Sequence, residues 1–510
     1  MNKLAQLDHA HVWHPFTQMR DWLRHEPIVI AEGQGAVLRD VKGKEYLDAN
    51  SSIWTNLHGH RHPKINAAIS RQLKKIAHSS ALGFANEPAS LLAARLVEAA
   101  GAGIYDLRFA ICEPKVKVTR KSKIKNRKLE KVFFSDDGST ALEVALKLAY
   151  EFSRRARSAA CPSALMRKFP PRFLSLDGAY HGDTIGAVSL GHVDLFHQAY
   201  GGMLFKTDKV MSPYCYRCPF NKAKPERADA REYRKCHWEC VGLVEKKFSA
   251  QQKKENPFAA FVFEPLIQGA AGMIPQPAGW LAQTAEIARN YGALLIADEV
   301  MTGFGRTGAA KAASGKRQAE TLFACPHENV QPDFLCVAKG LTGGYLPMAA
   351  TLTTQKVFDA FLGEYEEFKT FFHGHSFTGN QLGAAAALAS LDILQDEKSI
   401  RARQKLEAVL RDELKQLWPL PNVGDIRQVG LIAGIELVKD WRTREPFDLR
   451  ERAGIRVCEA MARRGVLTRP VGNVIVLMPP YCTTARQLRR MVGTVREALE
   501  EIQTQMRQAS

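Results

Sequence analysis

Lys339 stands directly behind the apolar run Phe334-Leu335-Cys336-Val337-Ala338, and Gly340 opens a glycine-rich turn after it. A lysine at the end of a buried strand differs from a solvated one. Burial and neighbouring charge lower an amine's pKa and free its lone pair, so it can condense with a carbonyl. Asp298 ends a second run of the same kind, Leu294-Leu295-Ile296-Ala297. Further apolar runs end in Ser135-Asp136-Asp137-Gly138-Ser139-Thr140, in Tyr180-His181-Gly182 and in Glu264-Pro265. In an open parallel sheet, ligands bind beyond the carboxyl ends of the strands. These five strand ends predict one site with an anion cradle, an aromatic ring, carboxylates and a single amine.

That set fits pyridoxal phosphate. The cofactor needs a lysine for its aldehyde and an acid to keep its ring nitrogen protonated, so that the ring can take up an electron pair. Lys339 and Asp298 supply the two. Gly138 and Ser139 offer backbone N–H groups at a helix start for the phosphate, and Tyr180 offers a ring to stack on the cofactor. Lys339 alone could equally be a strand-end lysine reaching solvent; the pairing with Asp298 decides. One motif points elsewhere. Gly303-Phe304-Gly305-Arg306-Thr307-Gly308 has the glycine spacing of a dinucleotide fingerprint. It opens no clear helix and has no ribose-binding acid in clear position, so NAD binding is not expected.

The elements around these residues alternate. The first sixty residues read as short strands and turns. From residue 62 onward, amphipathic helices alternate with short, nearly continuous apolar runs, the pattern of parallel strands buried on both faces. Residues 139–156 read as a helix whose start resembles a capping box, Thr140 with Glu143. A helix near 379–396 follows, then strands flanked by helices and a closing amphipathic helix from Thr483. This is an α/β chain with a large, mostly parallel sheet domain and a smaller α+β domain.

The 510 residues exceed one compact core. No apolar run is long enough to span a membrane, and no secretory signal is visible, so a cytoplasmic protein is expected. The formal charge of +18 would suit a nucleic-acid partner. Much of it lies in residues 113–131, with nine Lys/Arg against two Glu and no aromatic residues for base stacking. A solvated basic loop is the reading there, and nucleic acid is not an expected partner. Of ten cysteines, Cys215, Cys218, Cys236 and Cys240 cluster as C-x2-C and C-x3-C. The spacing suits a zinc or iron–sulfur site or a cysteine-rich surface excursion; no metal is assigned to it.

The stretches GSTALEVALKLA, YHGDTIGAVS, LLIADEVMTGFGRTG and AKGLTGGYLP resemble the class III, fold-type I aminotransferases that use pyridoxal phosphate. The similarity covers nearly the whole chain. WHPFTQM at 13–19, Ser51-Ser52-Ile53-Trp54, residues 372–380 and Thr468-Arg469-Pro470 narrow it to the branch that aminates 8-amino-7-oxononanoate in biotin synthesis. The resemblance implies that Lys339 carries the cofactor and shuttles a proton, and that Asp298 pairs its ring nitrogen. Gly138 and Ser139 would bind phosphate, and Tyr180 and His181 would flank the ring. His375 and Ser376 would come from the other subunit of a homodimer with shared sites. Phe16, Trp54, Gly374 and Arg469 would line the substrate pocket, with Arg469 on the carboxylate. Glu264 and Arg427 would form a switchable ion pair or a plain structural one. Three units are implied: residues 1–57 covering the site, 58–395 binding the cofactor, and 396–510.

The chain departs from that pattern at Phe16, where many relatives have Tyr, at Ile53-Trp54, where many have two Trp, and at Val476, where many have an aromatic. Residues 111–131 and 309–320 look inserted. SLGHVDLFHQAYGG and HGHSFTGNQLG resemble the members that take lysine as amino donor rather than S-adenosylmethionine. Two other readings are another class III aminotransferase acting on an ω-amino acid or diamine, and a basic nucleic-acid-binding protein on an inactive enzyme fold.

Overall fold

The structure, a computed structural model, describes residues 1–101, 128–160, 170–311 and 317–509. Its centre is a seven-stranded sheet. The order is Leu129–Ser135, Ala349–Thr354, Phe334–Val337, Leu294–Asp298, Phe258–Phe263, Arg172–Leu176 and Asp208–Val210. Ala349–Thr354 runs antiparallel to both of its neighbours, and the five strands from Phe334–Val337 onward pair in parallel. Every residue of Phe258–Phe263 and of Phe334–Val337 is buried. That is why these runs are continuously apolar rather than alternating. Each fully buried Phe contributes on the order of 2–3 kcal/mol. The chemistry begins where the apolar run stops, at Asp298, Glu264 and Lys339.

The helix Gly138–Ala160 follows the edge strand. Its start differs from the sequence expectation. Asp137 Oδ1 accepts the Thr140 N–H at 2.9 Å. Glu143 turns away from the helix end and accepts the Gly186 and Ala187 N–H groups at 2.7 and 3.2 Å. A second helix start needs acceptors there, so Glu143 joins two helices instead of closing a capping box.

Two smaller sheets stand beside the large one. Ile30–Gln34, Val37–Asp40 and Glu45–Asp48 form an antiparallel set extended by the C-terminal pair Val466–Leu467. Val423–Val429, Ile432–Asp440, Val474–Leu477 and Pro470–Val471 form another. The closing helix is Ala485–Ala509, preceded by a reciprocal cap between Thr484 and Gln487.

The first sixty residues are not strand and turn throughout. The chain opens with the helix Lys3–His11, capped by Asn2, whose Oδ1 accepts the Ala5 N–H at 2.8 Å. Asp8 on that helix accepts from Trp22 Nε1 at 2.9 Å and from His14 Nε2 at 2.9 Å. These bonds tie down an otherwise loose terminus.

The loop Gly303–Gly308 carries no nucleotide-loop geometry. A short strand, Ala309–Lys311, follows it rather than a helix. Arg306 is buried, donates to the Pro479 carbonyl at 2.7 Å and lies under the Tyr481 ring. The glycines serve packing, since a Cβ on Gly303 would come within 2.8 Å of the Glu299 carbonyl oxygen. Most of 111–131, and 312–316 of the second insertion, lie outside the described residues.

Candidate active site

The five strand ends meet in one cavity of about 420 Å³. Gly138, Ser139, Tyr180, His181, Glu264, Asp298 and Lys339 all line it, together with Trp54. A larger cavity of about 850 Å³ lies along the far half of the helix Gly138–Ala160 and contains none of these groups.

Lys339 sits at the floor with φ +24°. Burial pushes its amine below the ordinary lysine range, opposed by Asp298, Glu264 and Asp183. The neutral, nucleophilic form is thereby favoured. Its Nζ is 5.1 Å from the centre of the Trp54 ring. Asp298 is buried, and its Oδ2 is 2.8 Å from His181 Nδ1 while Oδ1 accepts the Val300 N–H at 3.0 Å. His181 Nε2 is buried with no partner among the described residues. Glu264 accepts the Gly269 and Tyr180 N–H groups at 2.7 and 3.4 Å. Its carboxyl is pushed up to about 7 by burial, with His181 pulling down and Asp298 adding to the rise.

The helix start at Gly138 is built for close backbone approach. A Cβ on Gly138 would lie 2.8 Å from Val300, and one on Gly182 would lie 1.9 Å from Ser139 Oγ. Ser139 Oγ accepts the Asp183 N–H at 3.1 Å. Tyr180 donates its hydroxyl proton to Asp183 Oδ2 at 2.6 Å, and burial first, then Asp183, raises its pKa. A buried amine, a carboxylate–imidazole pair and a glycine-lined helix start are the donor set that pyridoxal phosphate requires.

Five expected residues, Phe16, Gly374, His375, Ser376 and Arg469, do not line the cavity; of these, Phe16 and His375 lie beside residues that do. The Phe16 ring is edge-on to Tyr180 at 6.5 Å and to Phe196 at 5.3 Å. Arg469 is exposed and donates to the Phe16 carbonyl at 3.3 Å. His375 Nδ1 is 3.3 Å from Asp136 Oδ2 of its own chain, and the Ser376 carbonyl lies 2.9 Å from His78 Nε2. Gly374 has no neighbour within 4 Å of a built Cβ.

The Glu264–Arg427 pair does not form. Arg427 is fully buried and binds Asp425 at 3.2 Å, Glu436 at 2.8 Å and the Tyr214 hydroxyl at 2.6 Å. A buried guanidinium needs opposite charge beside it, and the strands Val423–Val429 and Ile432–Asp440 supply two carboxylates. Cys215, Cys218, Cys236 and Cys240 are free thiols. Among the described residues no three His, Cys, Asp or Glu side chains are arranged to hold a metal ion. Cys236 Sγ accepts from Arg234 at 3.0 Å.

The sequence does not point to Asp183 or Phe196, which the fold brings against Tyr180. Asp183 was within reach, three residues past Tyr180 in a strand-end loop. Phe196 gives no sequence signal, because only folding brings the short helix Asp194–His197 over Tyr180.

The class III aminotransferase family model matches residues 19–499. A protein of Nitratidesulfovibrio vulgaris named adenosylmethionine-8-amino-7-oxononanoate aminotransferase is 46% identical, over 98% of this chain and 81% of its own length. The crystal structure of the Methanocaldococcus jannaschii protein of the same name superposes with a TM-score of 0.80 at 37% identity, covering 98% of each chain. An amine transaminase from an uncultivated Pseudomonas species, solved in its PLP-bound form, gives a TM-score of 0.79 at 31% identity, over 96% of this chain and 98% of its own. No described helix is long and apolar enough to cross a membrane. With its site geometry and a family match along nearly its whole length, the chain belongs to the class III aminotransferases, enzymes that use pyridoxal phosphate to move amino groups between small molecules.

Proposed function

We propose that this enzyme transfers an amino group to 8-amino-7-oxononanoate, giving 7,8-diaminononanoate, with lysine or S-adenosylmethionine as the donor; the stretches SLGHVDLFHQAYGG and HGHSFTGNQLG favour lysine. The observation that carries the reading is the joint position of Lys339, Asp298 and Trp54 in one cavity, with Phe16 edge-on to Tyr180 of its lining and Arg469 bonded to the Phe16 carbonyl. The names of the relatives supply the substrate class.

When bound, pyridoxal phosphate supplies a carbonyl for the donor amine and a ring that holds an electron pair. The chain's own groups do the rest. Asp298 would hold the ring nitrogen, and His181 fixes the orientation of its carboxylate. The N–H groups at Gly138 and Ser139 would hold the phosphate, and Tyr180 would cover the ring. Lys339 Nζ would hold the cofactor's carbonyl and, when free, serve as the base toward the donor carbon, a task its lowered pKa suits. Arg469 binds the substrate carboxylate in the fork geometry of a guanidinium. Phe16 and Trp54 flank the alkyl chain and exclude water.

We further infer a homodimer in which His375 and Ser376 serve the neighbouring site. Leu82, Phe84, Phe372 and Phe377 are large, apolar and exposed on one chain, which supports an apolar face covered by a second copy. The division at residues 57 and 395 belongs to the same reading.

The test is product formation by purified holoenzyme from 8-amino-7-oxononanoate, with lysine or S-adenosylmethionine as donor, followed by mass spectrometry. Product with lysine supports the full proposal. Product with S-adenosylmethionine alone overturns the preference for lysine. No product with either, beside turnover of an ω-amino acid, overturns the acceptor. Lys339→Ala is expected to abolish turnover with the fold retained.

A further inference from the structure

Four consecutive residues leading to the pocket wall at Trp54 lie in the left-handed region: Ser51 (φ +45°), Ser52 (+47°), Ile53 (+64°) and Trp54 (+71°). Ile53 is β-branched, for which this conformation is a genuine outlier. Left-handed residues of L-configuration normally occur singly, each at about 1–2 kcal/mol, so a run of four persists only where its surroundings over-determine it. The run ends on Trp54, whose ring stands 5.1 Å from Lys339 Nζ.

What over-determines it is Asp48. This carboxylate is buried at the end of the strand Glu45–Asp48 and does not line the pocket. Its Oδ1 accepts the Asn50 N–H at 3.2 Å and the Ser52 N–H at 3.0 Å. Its Oδ2 accepts the Ser52 hydroxyl at 2.9 Å and meets His60 Nε2 at 3.1 Å. Asn56 Nδ2 is 3.1 Å from His60 Nδ1, and Asn56 Oδ1 accepts the Thr55 hydroxyl at 2.8 Å. This order makes Nδ1 the acceptor and Nε2–H the donor, so His60 donates a hydrogen bond to Asp48 Oδ2. The backbone closes the turn as well, with Trp54 N–H on the Asn50 carbonyl at 2.8 Å and Thr55 N–H on the Ser51 carbonyl at 2.9 Å. Ser51 donates to the Met478 carbonyl at 2.7 Å, and Trp54 Nε1 donates to Asn50 Oδ1 at 2.8 Å. All four Asp48 bonds therefore go to the turn or to the histidine behind it. A buried carboxylate spent wholly on one strained turn has its effect where that turn ends.

We propose that Asp48 is a positioning residue of the active site: with His60 it holds Ser51–Trp54 in the left-handed turn and so sets the Trp54 ring over Lys339 Nζ. The inference rests on the reading of Lys339 as the cofactor-bearing lysine. An isosteric Asn at 48 keeps one oxygen for the two backbone N–H groups. It then points an N–H at the His60 N–H, so the Asp48–His60 contact becomes repulsive without a change in volume.

The experiment compares wild-type holoenzyme with Asp48→Asn, Trp54→Phe and the double variant. The first readout is the pH titration of the visible absorbance of bound cofactor, which reports the environment of Lys339 and needs no substrate. The second is the split of KM and kcat. Asp48→Asn is expected to move the titration midpoint in the same direction as Trp54→Phe and to raise the acceptor KM about tenfold with a smaller change in kcat. The double variant is expected to match Trp54→Phe alone, since both changes act on one contact. A folded Asp48→Asn with a wild-type midpoint overturns the inference, and so does a double variant whose shift is the sum of the two. If Asp48→Asn does not fold, His60→Gln takes its place with the same expected outcome and the same overturning ones. A Lys339→Ala protein that still holds the cofactor covalently after borohydride reduction would overturn the reading of Lys339 itself, and this inference with it.

Discussion

His181 Nδ1 lies 2.8 Å from Asp298 Oδ2, with both side chains out of solvent. The imidazole fixes one carboxylate oxygen and the Val300 N–H fixes the other, so the face of Asp298 presented to the cavity is set before any ligand arrives. Asp298→Asn is expected to lower kcat by a factor of 10² or more, because an amide cannot hold the ring nitrogen protonated. His181→Gln, which leaves the carboxylate present but less fixed, is expected to cost about tenfold. Steady-state rates at saturating cofactor measure both; equal losses would show that His181 does more than orient.

Glu264 gives a pH signature with a defined sign. Burial raises its carboxyl from 4.5 to about 7 in the folded chain, so the native state holds a proton that the unfolded state releases. Stability from this group is full below pH 4.5 and falls as pH rises toward 7. In Glu264→Gln that contribution to the slope disappears. Urea unfolding of wild type and variant at pH 5, 6 and 7 checks it: the wild-type value minus the variant value should decline across the series.

Phe196 closes the rim between Phe16 and Tyr180, at 5.3 and 6.2 Å between ring centres. Phe196→Ala removes the edge-on contact that seats Phe16, so the N-terminal segment loses its hold on the mouth of the cavity. The acceptor KM is expected to rise about tenfold with kcat nearly unchanged, the pattern of lost uniform binding. A fall in kcat at constant KM would contradict it.

Arg427 tests the corrected ion pair. With Asp425 and Glu436 both buried against it, Arg427→Met leaves Asp425 without its paired cation while Glu436 keeps only Arg217, an effect of about 3–5 kcal/mol. A large drop in the thermal midpoint of the apoenzyme is expected. Cofactor absorbance in whatever fraction stays folded should be unchanged, since Arg427 does not line the cofactor cavity.

The sequence by itself determined the ends of the buried strands. Lys339, Asp298, Glu264, Tyr180 and Gly138 could be named because a parallel sheet forces apolar runs inside and gathers whatever follows them at one edge. The motifs placed the chain in its family for the same reason, as they are those edges. Only the tertiary structure decided which polar groups pair. Glu143 leaves its own helix to cap another, and Arg427 turns to Asp425 and Glu436 rather than Glu264. Asp48 is spent on a left-handed turn that no periodicity announces. A hydrogen bond or ion pair depends on angstrom distances between segments far apart in the chain. Local sequence carries the period of an element and the residue at its end, and it holds no record of which distant group will arrive beside it.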